Sequence, residues 1–252
     1  MCLIAVALAA HPRYRLVVAA NRDEFHARPT AAAAWWDGPA RIYGGRDLQQ
    51  GGGWFAVTDD GRWAAVTNVR RMVPPDPAAP SRGALVADYL RGSATAAAHA
   101  AQSLATADRY AGFNLLLGDK DGCVYLSNHP QPELTTLKPG VHGLSNASLD
   151  TPWPKLLRLR SALAGWCSSG NSQTAALFAA LADETPVSDA ELPDTGIGLA
   201  HERFLATPFI RSPSYGTRAS TLLLIGNEGI EFHERRYGAN GVFLGETQQR
   251  LA

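Results

Sequence analysis

Apolar residues run almost unbroken over residues 3–10 and again over 16–20, with His11-Pro12-Arg13 between them. Neither run alternates with polar positions, so both predict strands covered on two faces. The same pattern of paired runs recurs three times. Residues 54–58 and 63–67 flank Asp59-Asp60-Gly61. Residues 114–117 and 124–126 flank Asp119-Lys120-Asp121-Gly122, and 222–225 and 230–232 flank Gly226-Asn227-Glu228-Gly229. Each linker holds a glycine-containing turn that lets the chain reverse, so each pair predicts a hairpin.

Between these hairpins the period changes to that of helices. Ser81 is placed to cap a helix carrying Leu85, Val86, Tyr89 and Leu90 that stops at Gly92. An alanine-rich helix is expected over 95–105. A third, over 153–163, puts Leu156, Leu159 and Leu163 on one face, and a fourth over 173–181 would be capped by Ser172. Two stretches, 70–80 and 185–214, are rich in Pro or Gly and predict long loops, the second holding a short helix near 199–205. Antiparallel hairpins mixed with helix pairs point to an α+β layered sandwich, and no linker divides the chain, so one domain over 1–252 is expected.

Composition narrows the function. Of 252 residues, 46% are apolar and 18% charged, which fits a folded core and not disorder. Basic and acidic residues balance at 23 each with no block of one sign, so neither nucleic acid nor an anionic membrane surface is indicated as a partner. Cys2, Cys123 and Cys167 show no CxxC spacing, and no HExxH or CxxCH occurs, so no metal site and no cofactor is expected. The apolar opening lacks the basic flank of a signal peptide, and no run is long enough to span a bilayer. Together with the cysteine usage this gives a cytoplasmic expectation.

The chemistry gathers at Cys2. Removal of Met1, which a small second residue permits, leaves a thiol beside its own α-amine, a nucleophile and a base in one residue. If the first turn is centred on Pro12, antiparallel partners have numbers summing to 24, so Cys2 lies opposite Arg22. The polar run Asn21-Arg22-Asp23-Glu24 then ends an apolar strand beside the thiol. An arginine there favours thiolate, and a carboxylate can hold an ammonium group.

That run, following a hairpin that opens Met-Cys, resembles the signature of the NRDE-motif family, the transport and Golgi organisation family. Gly51-Gly52-Gly53-Trp54, Thr67-Asn68-Val69-Arg70, Ser81-Arg82-Gly83, Gly143-Leu144-Ser145-Asn146 and Tyr215-Gly216-Thr217-Arg218 extend the resemblance in order along the chain. It departs at Gly53, where the family more usually has Thr. The resemblance implies an N-terminal-nucleophile (Ntn) hydrolase fold, a four-layer αββα sandwich. A more distant similarity, to cysteine Ntn hydrolases of the bile-salt-hydrolase and penicillin-V-acylase type, implies roles: Cys2 as nucleophile, Arg22 and Asp23 beside it, Asn68 and Asn146 as oxyanion donors, and Arg218 as a late arginine. Those acylases space the early Arg and Asp apart, whereas here they are adjacent, so Asn21 or Glu24 stands as an alternative. His142, close to Asn146, is a candidate for the pocket wall.

Two kinds of function follow. One is a cysteine hydrolase acting on a small amide or thioester. The other, implied by the resemblance, is a carrier or chaperone on the same scaffold for a hydrophobic ligand such as haem, acyl-CoA or lipid, or an interaction protein of secretion and Golgi organisation.

Overall fold

A computed structural model of the chain describes residues 2–71 and 76–251; Met1 and part of the expected loop over 70–80 lie outside the described residues. Chain contacts divide the molecule into two units, one of residues 1–27, 70–72 and 139–252, the other of 28–69 and 73–138.

The first unit is built on a six-stranded antiparallel sheet. It comprises β1 (Cys2–Leu8), β2 (Tyr14–Phe25), β10 (Gly140–Leu144), β11 (Tyr215–Gly226), β12 (Gly229–Tyr237) and β13 (Phe243–Leu251), in the order β10-β1-β2-β11-β12-β13. Helices α3 (Pro154–Ser168) and α4 (Ala175–Leu181) pack on one face, α3 on β1 and β10, α4 on β2 and β11. Their apolar side chains, Leu156, Leu159, Leu163, Leu177 and Leu181, meet Leu3, Ala5, Val17, Ala19, Leu222 and Leu224 from the sheet. The odd-numbered residues of β1 and β2 supply that face, as the two-residue period of a strand requires.

The second unit is a seven-stranded antiparallel sheet in chain order: β3 (Thr30–Trp35), β4 (Ile42–Asp47), β5 (Phe55–Thr58), β6 (Trp63–Asn68), β7 (Phe113–Asp119), β8 (Gly122–Ser127) and β9 (Glu133–Thr136). Helices α1 (Arg82–Arg91) and α2 (Ala96–Leu104) cover it, packing Leu85, Val86, Tyr89 and Ala100 against Ala64, Val66, Leu115, Leu117 and Leu126. Of the two caps read from the sequence, Ser81 forms, its Oγ accepting from the Gly83 N–H at 3.2 Å, while Ser172 does not, since α4 (Ala175–Leu181) begins after Thr174 with no side-chain cap. Thr95, which the sequence pattern did not mark as a cap, accepts through Oγ1 from the Ala98 N–H at 3.2 Å.

The four expected hairpins are present as β1–β2, β5–β6, β7–β8 and β11–β12. Three features differ. The fourth helix starts at Ala175, after Thr174, because Asn171 Oδ1 accepts from the Gln173 N–H at 2.8 Å and holds that segment as a turn. The third continues to Ser168. Most consequential, Asn21-Arg22-Asp23-Glu24 does not end the strand but lies within β2, which runs on to Phe25. The backbone there is held from one side by β1 as far as Arg22 and from the other by β11 as far as Phe25, which compensates for the polar side chains. The expected short helix near 199–205 is α5 (Leu199–Phe204). No described helix is long and apolar enough to cross a membrane.

In the second unit the Gly51-Gly52-Gly53 run is a close approach of backbones. A β-carbon on Gly52 would lie 2.5 Å from the Gly83 carbonyl carbon at the start of α1. Gly52→Ala is therefore expected to cost about 2 kcal/mol through overpacking, read as a lowered urea midpoint at unchanged slope.

Candidate active site

Cys2 opens β1, and the register pairs it with Arg22 of β2, as the count through the first turn requires. On its other side β10 pairs Ile4 with Leu144. Carried on by two residues, the same count puts Asn146 level with Cys2. Ser145 secures the approach, its hydroxyl donating to the Cys2 carbonyl at 3.1 Å. The Asn146 carbonyl accepts from the Arg70 N–H at 2.8 Å. The Asp23 backbone N–H bonds the Cys2 sulfur. Cys2 itself is half-buried; Arg22, Asp23, Ser145 and Asn146 are buried.

Alternation along β2 divides its polar run between two faces. Arg22 and Glu24 share the face of Cys2, with 3.8 Å between their charged groups. Asn21 and Asp23 turn to the helix-covered face. There Asn21 Nδ2 donates to the carbonyls of Leu181 at 2.7 Å and Pro208 at 2.9 Å, and its Oδ1 accepts from Ser220 at 2.6 Å. Asn21 thus ties α4 and the following loop to the sheet. Asp23 Oδ1 accepts from the Thr217 hydroxyl at 2.8 Å, and Thr217 Oγ1 in turn accepts from the Ile210 N–H at 2.9 Å.

Thr217 and Ser220 are three residues apart, yet they reach the same face. A bulge between Thr217 and Ala219 makes this possible, with Arg218 as the extra residue. Thr217 falls opposite Asp23 and Ser220 opposite Asn21. Arg218 donates through Nη1 to the carbonyls of Phe25 at 2.9 Å and His26 at 3.2 Å, at the end of β2. Gly216 admits the Ile210 carbonyl, which would stand 2.5 Å from a β-carbon there. The Tyr-Gly-Thr-Arg motif therefore has a structural reason at three of its positions.

Asn68 closes β6 of the second unit, paired with Phe113. His142 lies on β10, its Nδ1 3.0 Å from Asp150 Oδ2, and Arg160 reaches the same carboxylate at 3.1 Å. Among the described residues no cluster of His, Cys, Asp or Glu is arranged to hold a metal ion.

Sequence reasoning missed three charged residues of this region. Lys155, in the first turn of α3, is buried. Arg70 is buried with Glu202 of α5 in a direct ion pair, and its guanidinium lies 4.4 Å from the Trp153 ring centroid. Lys155, Arg70, Trp153 and Glu202 line one small pocket together with Leu205 and Ala206. Arg70 was legible as the last residue of the Thr-Asn-Val-Arg motif. Lys155 sits among the apolar positions of a helix, where no pattern marks it.

Electrostatics here are ruled by burial. Desolvation raises the Cys2 thiol above its usual value; Asp23 adds to the rise, and Arg22 opposes it without overcoming it. Arg22 favours the thiolate as expected, but the cost of charge in this buried environment outweighs it. Burial also raises the Asp23 carboxyl, against the opposing pull of Lys155, and lowers the Lys155 ammonium to about 8.

With this geometry in view, comparison with known proteins places the chain. The model of the family described as Transport and Golgi organisation 2 matches residues 1–239. The chain belongs to this family. Its relatives include the Transport and Golgi organization protein 2 homologs of Bos taurus, 34% identical over 243 residues, and of Homo sapiens, 33% identical over 239; in each case 88% of this chain and 86% of the relative are covered. Among solved structures, the Caenorhabditis elegans N-acylethanolamine-hydrolyzing acid amidase ortholog aligns with a TM-score of 0.54 at 11% identity, over 89% of this chain and 92% of that one. The family fold is therefore α+β, of the Ntn-hydrolase type.

Asn21, first residue of the family's signature run, has a load that is structural in kind. Asn21→Ala leaves two buried carbonyls and the Ser220 hydroxyl without their partner, a loss expected at about 3 kcal/mol. Chemical denaturation of the variant checks this.

Proposed function

We propose that the chain is a cysteine Ntn hydrolase acting on a small amide or thioester. The observation that carries this reading is the pairing of Cys2, first described residue of the first strand, with Arg22, while the Asp23 N–H bonds its sulfur. The solved structure of similar fold is named as an amidase, which agrees with this chemistry while its 11% identity speaks for the fold alone.

In this reading removal of Met1 frees the α-amine of Cys2. That amine takes the thiol proton as the sulfur attacks the substrate carbonyl, so S–H breaks and C–S forms. The proton then passes to the leaving nitrogen or sulfur as its bond to the acyl carbon breaks. Water hydrolyses the thioester left on Cys2 and restores the thiol. Because burial holds the thiol protonated, an amine at the same residue is the base best placed to ionise it. Asp23 holds the α-ammonium form, and Arg22 offsets the sulfur's negative charge. Asn146, level with Cys2, supports the oxyanion, a contribution of about 3 kcal/mol per donor at such sites. Asn68 keeps the second donor role on its motif alone, and Arg218 adds positive potential from the bulge beside Arg22.

The test is labelling with an acyl electrophile, read by intact and peptide mass. Wild-type protein is expected to lose Met1 and carry one acyl group on Cys2, and Cys2→Ala none. Retention of Met1, or equal labelling of the two proteins, overturns the proposal.

A further inference from the structure

Of the 23 Lys and Arg residues, only three are lysines, at positions 120, 138 and 155. Lys120 and Lys138 are exposed; Lys155 is 1% exposed, and its Nζ has no hydrogen-bond partner among the described residues. Its place in the first turn of α3 sets it against the positive end of the helix dipole, where a cation is disfavoured. Three unfavourable conditions thus meet at one side chain in a chain that otherwise uses arginine. The chemical difference between the two residues is that lysine gives up its proton within an accessible pH range and arginine does not.

Charged groups near enough to act on Lys155 lie on several elements. Asp23 of β2 and Cys2 of β1 favour its charged form; Arg70 opposes it and Glu202 of α5 favours it. Arg70 and Glu202 are already paired with each other, which leaves Asp23 as the carboxylate that answers Lys155. The helix's other cations are engaged elsewhere, Arg158 with Asp183 and Arg160 with Asp150. Tyr215, half-buried and near Asp23 and Cys2, is raised by desolvation and stays neutral.

We propose that Lys155 is a positioning residue of the Cys2 site, a buried cation that keeps Asp23 ionised behind the strand and withdraws that support when it releases its proton. Asp23 is thereby the carboxylate next to Cys2 whose charge state depends on a lysine and not on solvent. The inference rests on reading Cys2 as the reacting group, but concerns what sets its surroundings. With both groups ionised, Lys155 carries three N–H protons and Asp23 carries none. Loss of one proton to solvent leaves a neutral amine near a buried carboxylate, which then binds a proton more readily.

The experiment uses the full chain with ¹³C label at the lysine ε-carbon, which gives three signals. One is expected to titrate near 8, to be absent from Lys155→Met, and to titrate lower in Asp23→Asn, since the carboxylate that favours the ammonium is gone. In parallel, the rate of Cys2 alkylation by iodoacetamide is followed against pH by peptide mass. Wild type is expected to show an inflection near 8 that is lost in both Lys155→Met and Lys155→Arg, the latter keeping the charge but not its titration. Three lysines titrating in the ordinary range near 10.5 overturn the proposal. So does an inflection that survives both substitutions, or none in wild type. If Lys155→Met does not fold, the wild-type titration and its displacement in Asp23→Asn decide alone. A low-titrating Lys155 without acylation of Cys2 would remove the hydrolase reading and leave this inference standing.

Discussion

The structure of the first unit depends on one constraint: β2 is paired on both sides through its polar run. Strand ends are ordinarily where pairing stops and water takes over. Here β11 continues alongside as far as Phe25, so Asn21, Arg22 and Asp23 are buried as parts of a ladder. Buried polar side chains are tolerated where partners meet them, and here the partners come from several elements: α4, the loop at Pro208 and Ser220 of β11 for Asn21, and Thr217 of β11 for Asp23. The run thus organises the unit and the surroundings of Cys2.

The same constraint sets the electrostatic character of the site. A cysteine at an open strand end beside an arginine would ionise readily. Enclosure reverses that balance, because removing charge from water costs more than one neighbouring guanidinium returns. In the proposed reaction protons would have to be moved by nearby groups, and Asp23, Lys155 and, with Met1 removed, the amine of Cys2 stand close enough for that task.

Much of this was legible in the sequence where local rules apply. Counting through the Pro12 turn gave the Cys2–Arg22 pair because a short hairpin fixes register. Ser81 announced its helix because a cap is a contact between near neighbours. What was not legible depended on distant partners. The extension of β2 to Phe25 follows from a strand nearly 200 residues away. Strands such as β3, β9 and β13 are flanking ladders with no strong alternation of their own. Lys155 and the Arg70–Glu202 pair are joined only by tertiary packing, and a single lysine on an apolar helix face carries no periodic signal.

The bulge at Arg218 has a consequence of its own. Were the same residues paired regularly, without the bulge, Thr217 and Ser220 would point to opposite sides of the sheet, and either Asp23 or Asn21 would lose its hydroxyl donor. The spacing of that motif therefore carries information apart from its letters. Shortening the stretch by one residue would turn the bulge into a regular ladder with both hydroxyl anchors still on one face, and would remove only the guanidinium that holds the carbonyls of Phe25 and His26 at the end of β2.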